Sequence, residues 1–179
     1  MTNLPIKNKI EAYFNNNNSK ILDGLSYSSG ALFLSSKIKN NGKYLIIIDN
    51  NDTAEKLYKE LSHLLSKEHD ADLIFIPETE EMPYDMVDSD KYLSSKKNLS
   101  LIKYIESSSI KITVITTAKN LQKKLIPKNV LIKKTLKISK NNSFNIDVMK
   151  NKLTKIGYVN NPQVNFHGEF SIRGSIIDI

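Results

Sequence analysis

The sequence has 179 residues, of which 40% are hydrophobic, and this suffices for one large domain or for one and a half domains of ordinary size. It contains no cysteine, which excludes a disulfide framework and a thiolate metal site. It also lacks an apolar run near the roughly 18 residues that cross a bilayer, and its start lacks the hydrophobic stretch of a signal peptide, so we expect a cytoplasmic protein.

The charge is positive, with a net value of +7 and a pI near 9.3. Lysine, asparagine and isoleucine are abundant throughout, as an AT-rich genome would produce. We interpret the lysines as dispersed along the chain, without the interleaved aromatic residues of a stacking platform. The composition therefore predicts weak attraction to phosphate and no readout of nucleic-acid sequence.

The predicted elements begin with a leading segment, residues 1–19, in which a short helical pattern precedes an asparagine run. A glycine- and serine-containing turn at residues 24–30 then opens a helix that runs to about Lys39. Three continuous apolar runs are typical of strands that are buried on both faces. They lie at residues 44–49, 73–76 and 110–115. Amphipathic helices separate them, the first with a capping-box pattern at Asp52–Glu55. This alternation predicts a parallel α/β sheet flanked by helices over residues 20–127.

The pattern changes near residue 128, because residues 130–138 alternate like a half-exposed strand. A helix follows, with Ser143 as its expected N-cap and Gly157 as its stop, and only short strands come after it. This predicts a smaller α+β domain with a mostly antiparallel sheet over residues 128–179. Because the sequence ends within an apolar strand, we expect this domain to be truncated and incomplete.

The turn at Gly24 lies where a nucleotide-binding P-loop would lie. A Walker A loop follows the pattern Gly-x-x-x-x-Gly-Lys-Ser/Thr. With Gly24 as the first glycine, Ser29 stands at the second glycine position, Gly30 replaces the lysine and Ala31 replaces the hydroxyl residue. The lysine that reaches the phosphates and the hydroxyl that holds magnesium are both missing. We therefore expect an ordinary turn before a helix, with no nucleotide hydrolysis and no cofactor.

No other pattern in the sequence predicts catalysis or metal binding. The loop at residues 77–85 is rich in carboxylates, but they are adjacent to one another and suit a solvated loop. The three histidines, His63, His69 and His167, are scattered and do not have the spacing of zinc ligands. We expect neither a catalytic residue nor a metal site.

Arg173 is the only arginine in the sequence. It lies beside Gly174, between the strand-like segments Glu169–Ile172 and Ser175–Ile179. Arginine presents a planar fork of five donors that lysine cannot imitate. This predicts either a specific recognition surface or a surface arginine on a hairpin.

Four features occur in an order that resembles a known family. They are the turn at 24–30, the loop at 80–85, the helix start at Ser94-Ser95, and Gly157-Tyr158 followed by residues 168–179. Together they resemble the N-terminal module of the bacterial transcription-repair coupling factors, the Mfd family. That module is similar to UvrB, with an α/β domain like domain 1a of UvrB whose P-loop is degenerate.

The resemblance implies a protein that recruits UvrA through its second domain and has no catalysis of its own. It implies UvrA contacts at Arg173, Phe170 and Glu169, with Val159 standing where the family commonly has a basic residue. Full-length members also displace stalled RNA polymerase with a C-terminal, ATP-driven translocase on double-stranded DNA, and this chain has no translocase motif. Two alternatives stay open: a fragment of a UvrB-type excision-repair helicase, and a basic nucleic-acid-binding domain.

Overall fold

The structure, a computed structural model, describes residues 23–25, 28–38, 42–66, 71–79, 91–140 and 143–179. The helical pattern in the leading segment and the loop at 80–85 lie outside the described residues. Within the described part, no helix combines the length and the apolar character needed to cross a membrane.

In chain order, the described helices are α1 (Ser29–Ile38), α2 (Asn51–Leu64), α3 (Lys91–Glu106), α4 (Ala118–Leu121), α5 (Lys128–Lys133) and α6 (Ile146–Ile156). The described strands are β1 (Lys43–Ile48), β2 (Ala71–Phe75), β3 (Lys111–Thr117), β4 (Val159–Asn160), β5 (Glu169–Arg173) and β6 (Ile176–Asp178). They form two compact units, one made of Met1–Glu78 with Glu106–Lys123 and the other of Thr79–Ile105 with Lys124–Ile179. Most of α3 therefore belongs to the second unit, although the sequence pattern groups it with the α/β part.

The first unit is built on a parallel sheet of three strands in the order β1-β3-β2. Val114 of β3 lies opposite Leu45 on one side and Ile74 on the other. Parallel strands need crossover connections, and α2 lies in the connection between β1 and β2, which take positions on either side of β3. The predicted parallel α/β sheet flanked by helices is confirmed.

Helices α1 and α2 cover one face of this sheet. The buried core of that face consists of Ala31, Ile38, Ala54, Leu61, Leu65, Phe75 and Ile115. Strand β1 was predicted to be buried on both faces, and this is wrong: Leu45 and Ile47 are 54% and 51% exposed. The reason is that β1 lies at the sheet edge, and successive side chains point to opposite faces, so only Tyr44, Ile46 and Ile48 reach the helices.

Helix α2 begins two residues earlier than the capping-box pattern predicts. Its N-cap is Asn50, whose Oδ1 accepts a hydrogen bond from the backbone N–H of Thr53 at 2.9 Å. Asp52 lies in the first turn, where a negative charge is favoured by the helix dipole. Glu55 forms an ion pair with Lys59 at 3.4 Å, one turn further on.

Residues 130–138 were predicted to form a strand, and this is wrong, because they contain most of helix α5 and an irregular segment. The N–H groups of Val130 and Leu131 both donate to the carbonyl of Pro127, each at 3.0 Å. Proline cannot continue a preceding helix but is well suited to start one. Leu131 is the one buried side chain of this helix, and the alternating pattern could not single it out.

The second unit contains α6 and a three-stranded sheet in the order β4-β5-β6. Strands β4 and β5 are parallel and β5 and β6 are antiparallel, so the sheet is mixed and not mostly antiparallel. Helix α6 ends at Gly157 as predicted, with φ at 110°, while its N-cap is Asn145 and not Ser143. Met149 and Leu153 of α6 pack against Phe170 of β5, and this contact is the core of the unit.

Candidate functional site

The hairpin predicted around Arg173 is present and consists of β5, a two-residue connection and β6. Arg173 lies opposite Ile176, and Gly174 follows it with φ at 59°. A positive φ is strained for residues with a side chain, so glycine suits this tight reversal. Arg173 is therefore placed at the last position of β5, directly before the turn.

The Arg173 guanidinium is held by a carboxylate of the same hairpin, since its Nη2 donates a hydrogen bond to Asp178 Oδ2. In the antiparallel register Asp178 lies opposite Ser171, so Arg173 and Asp178 are diagonal neighbours on one face. The side chains are 70% and 39% exposed, so water reaches both groups. Exposed ion pairs contribute about 0–1 kcal/mol, so Asp178 orients the guanidinium without sequestering it.

Ile176 gives the same face an apolar component beside the arginine. It is the cross-strand neighbour of Arg173 and is 63% exposed. We call Arg173, Ile176 and Asp178 the hairpin tip. A charged fork next to exposed apolar area is a combination that protein interfaces favour.

Phe170 is not part of this exposed face. Its side chain is fully buried, with 0% exposure, against Met149 and Leu153. The expectation of a direct Phe170 contact with a partner is therefore corrected: β5 alternates so that Phe170 and Ile172 point to the core and Arg173 points away from it. Phe170 packs the inner face of the hairpin against α6.

Glu169 uses both carboxylate oxygens within the unit. Oε1 accepts from Asn161 Nδ2 at 2.8 Å, and Oε2 accepts from the backbone N–H groups of Asn165 and Phe166 at 2.9 and 3.1 Å. These bonds fold the connection between β4 and β5 onto the start of β5. Glu169 therefore stabilises the conformation of the connection that precedes the hairpin.

Val159 is 58% exposed and lies opposite Glu169 in the β4–β5 pair. Arg173 is four residues further along β5, which corresponds to roughly 13 Å at the usual strand rise. The structure thus places Val159 and Arg173 near the two ends of β5, with Phe170 buried between them.

The residues of the predicted degenerate nucleotide loop lie before α1 and in its first turn. Gly24 is exposed with φ at 75°, and its N–H donates to Asp23 Oδ1 at 2.7 Å. Ser29 and Gly30 are the first residues of α1, and Ala31 is 1% exposed within the core of the first unit. The side chain at position 31 thus serves packing.

A buried carboxylate that sequence reasoning missed lies at the carboxyl edge of the parallel sheet. Glu78 is 7% exposed, and its Oε2 accepts from the Thr117 hydroxyl at 2.9 Å. Lys119 Nζ is 3.3 Å and Lys123 Nζ 4.0 Å from Oε1. Asn51 binds the backbone N–H and carbonyl of Glu78, both at 2.8 Å.

The charge state of Glu78 follows from these contacts. Burial raises the pKa of a carboxyl group, but the hydrogen bond from Thr117 and the attraction of Lys119 and Lys123 outweigh burial, so the pKa of Glu78 lies below its usual value. The carboxyl edge of an α/β sheet is where such folds commonly bind ligands. Here the group is satisfied by its own chain, and the contacts fix the segment that leaves β2.

Comparison with known proteins supports the sequence resemblance. Residues 136–179, which contain α6 and the hairpin, match the family model of the UvrB interaction domain. The chain is 33% identical over 139 residues to the transcription-repair-coupling factor of Rickettsia typhi, which covers 78% of this chain and 12% of that protein. It is 28% identical over 163 residues to that of Haemophilus influenzae (91% and 14%) and 27% identical over 161 residues to that of Bacillus subtilis (89% and 13%).

These matches confirm the predicted resemblance to the transcription-repair coupling factors. The chain spans only 12–14% of the length of these three relatives.

Proposed function

We propose that this chain, a relative of the transcription-repair coupling factors, is a non-catalytic module that binds UvrA in transcription-coupled nucleotide excision repair. The observation that carries the proposal is the match of residues 136–179 to the UvrB interaction domain, because this range contains the whole hairpin with the single arginine. The exposed hairpin tip within this range supports a protein contact there.

The direct contacts in this proposal come from the hairpin tip. Arg173 exchanges its internal partner Asp178 for a carboxylate of UvrA, and Ile176 adds apolar area. Phe170 and Glu169, which are engaged inside the unit, hold the hairpin and its preceding connection in shape. Val159 stays a candidate contact, since it is exposed, but as an apolar residue it offers no charge.

The proposal also states that the chain does not bind or hydrolyse ATP through the loop before α1. Gly30 and Ala31 supply neither the lysine nor the hydroxyl that Mg–ATP requires, and Ala31 is buried in the core. This favours a recruiting module over a fragment of a UvrB-type helicase. Titration calorimetry with Mg–ATP tests it, and micromolar binding that is lost on Gly24→Val contradicts it.

In a longer protein of this family, we propose that regions outside this chain act on RNA polymerase and double-stranded DNA, in the cytoplasm. The relatives carry the name transcription-repair-coupling factor, and the chain spans a small part of them. The module described here then supplies the connection to repair.

A titration of immobilised UvrA with the chain and with its Arg173→Ala variant tests the UvrA contact. Loss of one partner of a desolvated charge pair typically costs about 2–5 kcal/mol, so we expect binding to weaken more than tenfold. Arg173→Lys should restore only part of the affinity, because a lysine is a point charge without the planar fork.

The matched control is Lys56→Ala, which removes one exposed positive charge from α2 of the first unit. It should bind like the unchanged chain. If Arg173→Ala stays folded and binds as tightly as Lys56→Ala, Arg173 is only a surface residue and the proposed contact is wrong.

A further inference from the structure

We propose that the second unit carries a lysine surface that binds the phosphate backbone of duplex DNA. We use the name lysine surface for nine exposed lysines of this unit: Lys124, Lys128, Lys133, Lys134, Lys137, Lys140, Lys150, Lys152 and Lys155. This is a second binding activity, separate from the contact with UvrA that the hairpin tip makes in the proposed function.

The net positive charge of the chain is concentrated in residues 124–155. Residues 124–155 hold nine lysines and one acidic residue, Asp147, which gives a net charge of +8. The whole chain carries +7, so all other residues together sum to −1. The lysines themselves are dispersed, since 16 of the 25 lie outside this stretch, but there they are balanced by 18 of the 19 acidic residues. A bias of composition explains how many lysines there are, but it does not explain why the net positive charge falls within 32 of the 179 residues.

The fold brings the lysine-bearing segments together. Eight of the nine lysines lie on α5, on the connection that follows it and on α6, and Lys124 lies shortly before α5. Leu136 of the connection packs against the core around Met149 and Leu153 of α6. Lys134, at the end of α5, lines the same cavity as Ile138 of the connection and Ile156 of α6. The positive charges thus lie on neighbouring elements of one unit.

The local charge balance favours a polyanion. Residues 124–155 carry nine lysines against the single acidic residue Asp147. A set of point charges on flexible stems suits evenly spaced phosphates, whose neutralisation releases counterions and needs no fixed geometry.

The sequence of this stretch also favours a duplex over a single strand. Proteins that bind single strands stack successive bases on aromatic side chains. Phe144 is the only aromatic residue among residues 124–155. Binding through phosphates alone predicts no preference for sequence.

The test is a fluorescence anisotropy titration of a labelled duplex of about 20 base pairs with the full chain, at salt concentrations from about 50 to about 200 mM. The variant replaces Lys150, Lys152 and Lys155 by glutamine, which has a helix propensity close to that of lysine. These positions are exposed on α6, away from Met149 and Leu153, so the core is untouched.

Each phosphate contact contributes about −0.9 to the slope of log affinity against log salt concentration. We expect the triple variant to reduce the slope by about 2.7, so that the affinity ratio of the two proteins changes about 40-fold across this salt range. Binding of UvrA should be unchanged, which separates a failure here from a failure of the proposed function.

The matched control replaces Lys43, Lys56 and Lys59 by glutamine, since these exposed lysines of the first unit carry the same total charge. Its slope should equal that of the unchanged chain. If the α6 variant loses helicity by circular dichroism, the variant of Lys128, Lys133 and Lys134 takes its place.

Three results overturn the inference. The first is a duplex affinity weaker than about 100 μM at the lowest salt concentration, which is below ordinary non-specific binding. The second is an equal change of slope in the control variant, because then only the net charge matters. The third is loss of UvrA binding, without loss of duplex binding, in the α6 variant, which makes the lysine surface a protein interface.

Discussion

The buried position of Phe170 makes a prediction that separates support of the hairpin from contact with a partner. The ring is 0% exposed between Met149 and Leu153. Truncation of a buried phenylalanine to alanine costs about 3–5 kcal/mol, through lost transfer energy and the remaining cavity. Small domains have a total stability of about 5–15 kcal/mol, so Phe170→Ala should bring the second unit close to unfolding.

The matched control is Phe166→Ala, which removes the same kind of side chain four positions earlier. That side chain is 62% exposed, and the backbone N–H that donates to Glu169 is kept. Exposed substitutions usually change stability by less than about 0.5 kcal/mol. Urea unfolding followed by circular dichroism measures both values, and hydrogen exchange assigns the loss of protection to β5 and α6.

Binding of UvrA is then measured with Phe170→Leu, which keeps a large apolar side chain in the core and should cost about 1–3 kcal/mol of stability. We expect the folded variant to bind UvrA as the unchanged chain does. The reasoning is refuted if Phe170→Ala is as stable as Phe166→Ala. It is also refuted if folded Phe170→Leu loses more than tenfold in affinity, because the ring is then a direct contact.

Three further predictions concern stability. Because the pKa of Glu78 is lowered in the folded state, the stability that Glu78 contributes is present above its ordinary pKa of about 4.5. This stability is lost as the pH falls through the lower pKa of the folded state. In urea unfolding at a series of pH values, Glu78→Gln should therefore weaken the loss of stability at acid pH. Gly174→Ala should destabilise the hairpin by about 1–2 kcal/mol in thermal unfolding, because φ is 59° there. Glu169→Gln should cost about 1.5–3 kcal/mol, since an amide replaces a carboxylate that accepts three hydrogen bonds, and faster amide exchange at Asn165 and Phe166 measures it.

The sequence predicts the elements with long and regular patterns and fails where a pattern is short. The three strands of the parallel sheet and helix α6 follow from apolar runs and from a helical repeat of apolar residues. The segment at 130–138 is too short for its alternation to distinguish a strand from a helix. In the structure its first residues are helical, and the N–H groups of Val130 and Leu131 donate to the carbonyl of Pro127. The exposed face of β1 was missed because a run of apolar residues does not reveal that a strand lies at a sheet edge.

The candidate site shows the same limit. Arg173 stands out in the sequence because it is unique, and the adjacent glycine correctly predicts a turn. The inward direction of Phe170 could not be predicted, since alternation fixes which residues share a face but not which face meets α6. Asp178 and Glu169 acquire their roles from the β5–β6 register and from the fold of the preceding connection.

The pairing of Arg173 with Asp178 explains how one arginine can be both ordered and available. An exposed ion pair contributes little free energy, so a carboxylate of a partner can replace Asp178 at a cost of about 0–1 kcal/mol. In the desolvated centre of an interface the new pair gains strength, because bidentate guanidinium–carboxylate bonds are among the strongest in proteins. Asp178 already holds the Arg173 side chain on the outer face of the hairpin. The side chain therefore loses less conformational entropy when it binds a partner. A lysine at this position would keep the positive charge but would lack the planar fork of donors. The chain uses lysine for every other basic side chain, which is consistent with a need for the guanidinium geometry at position 173.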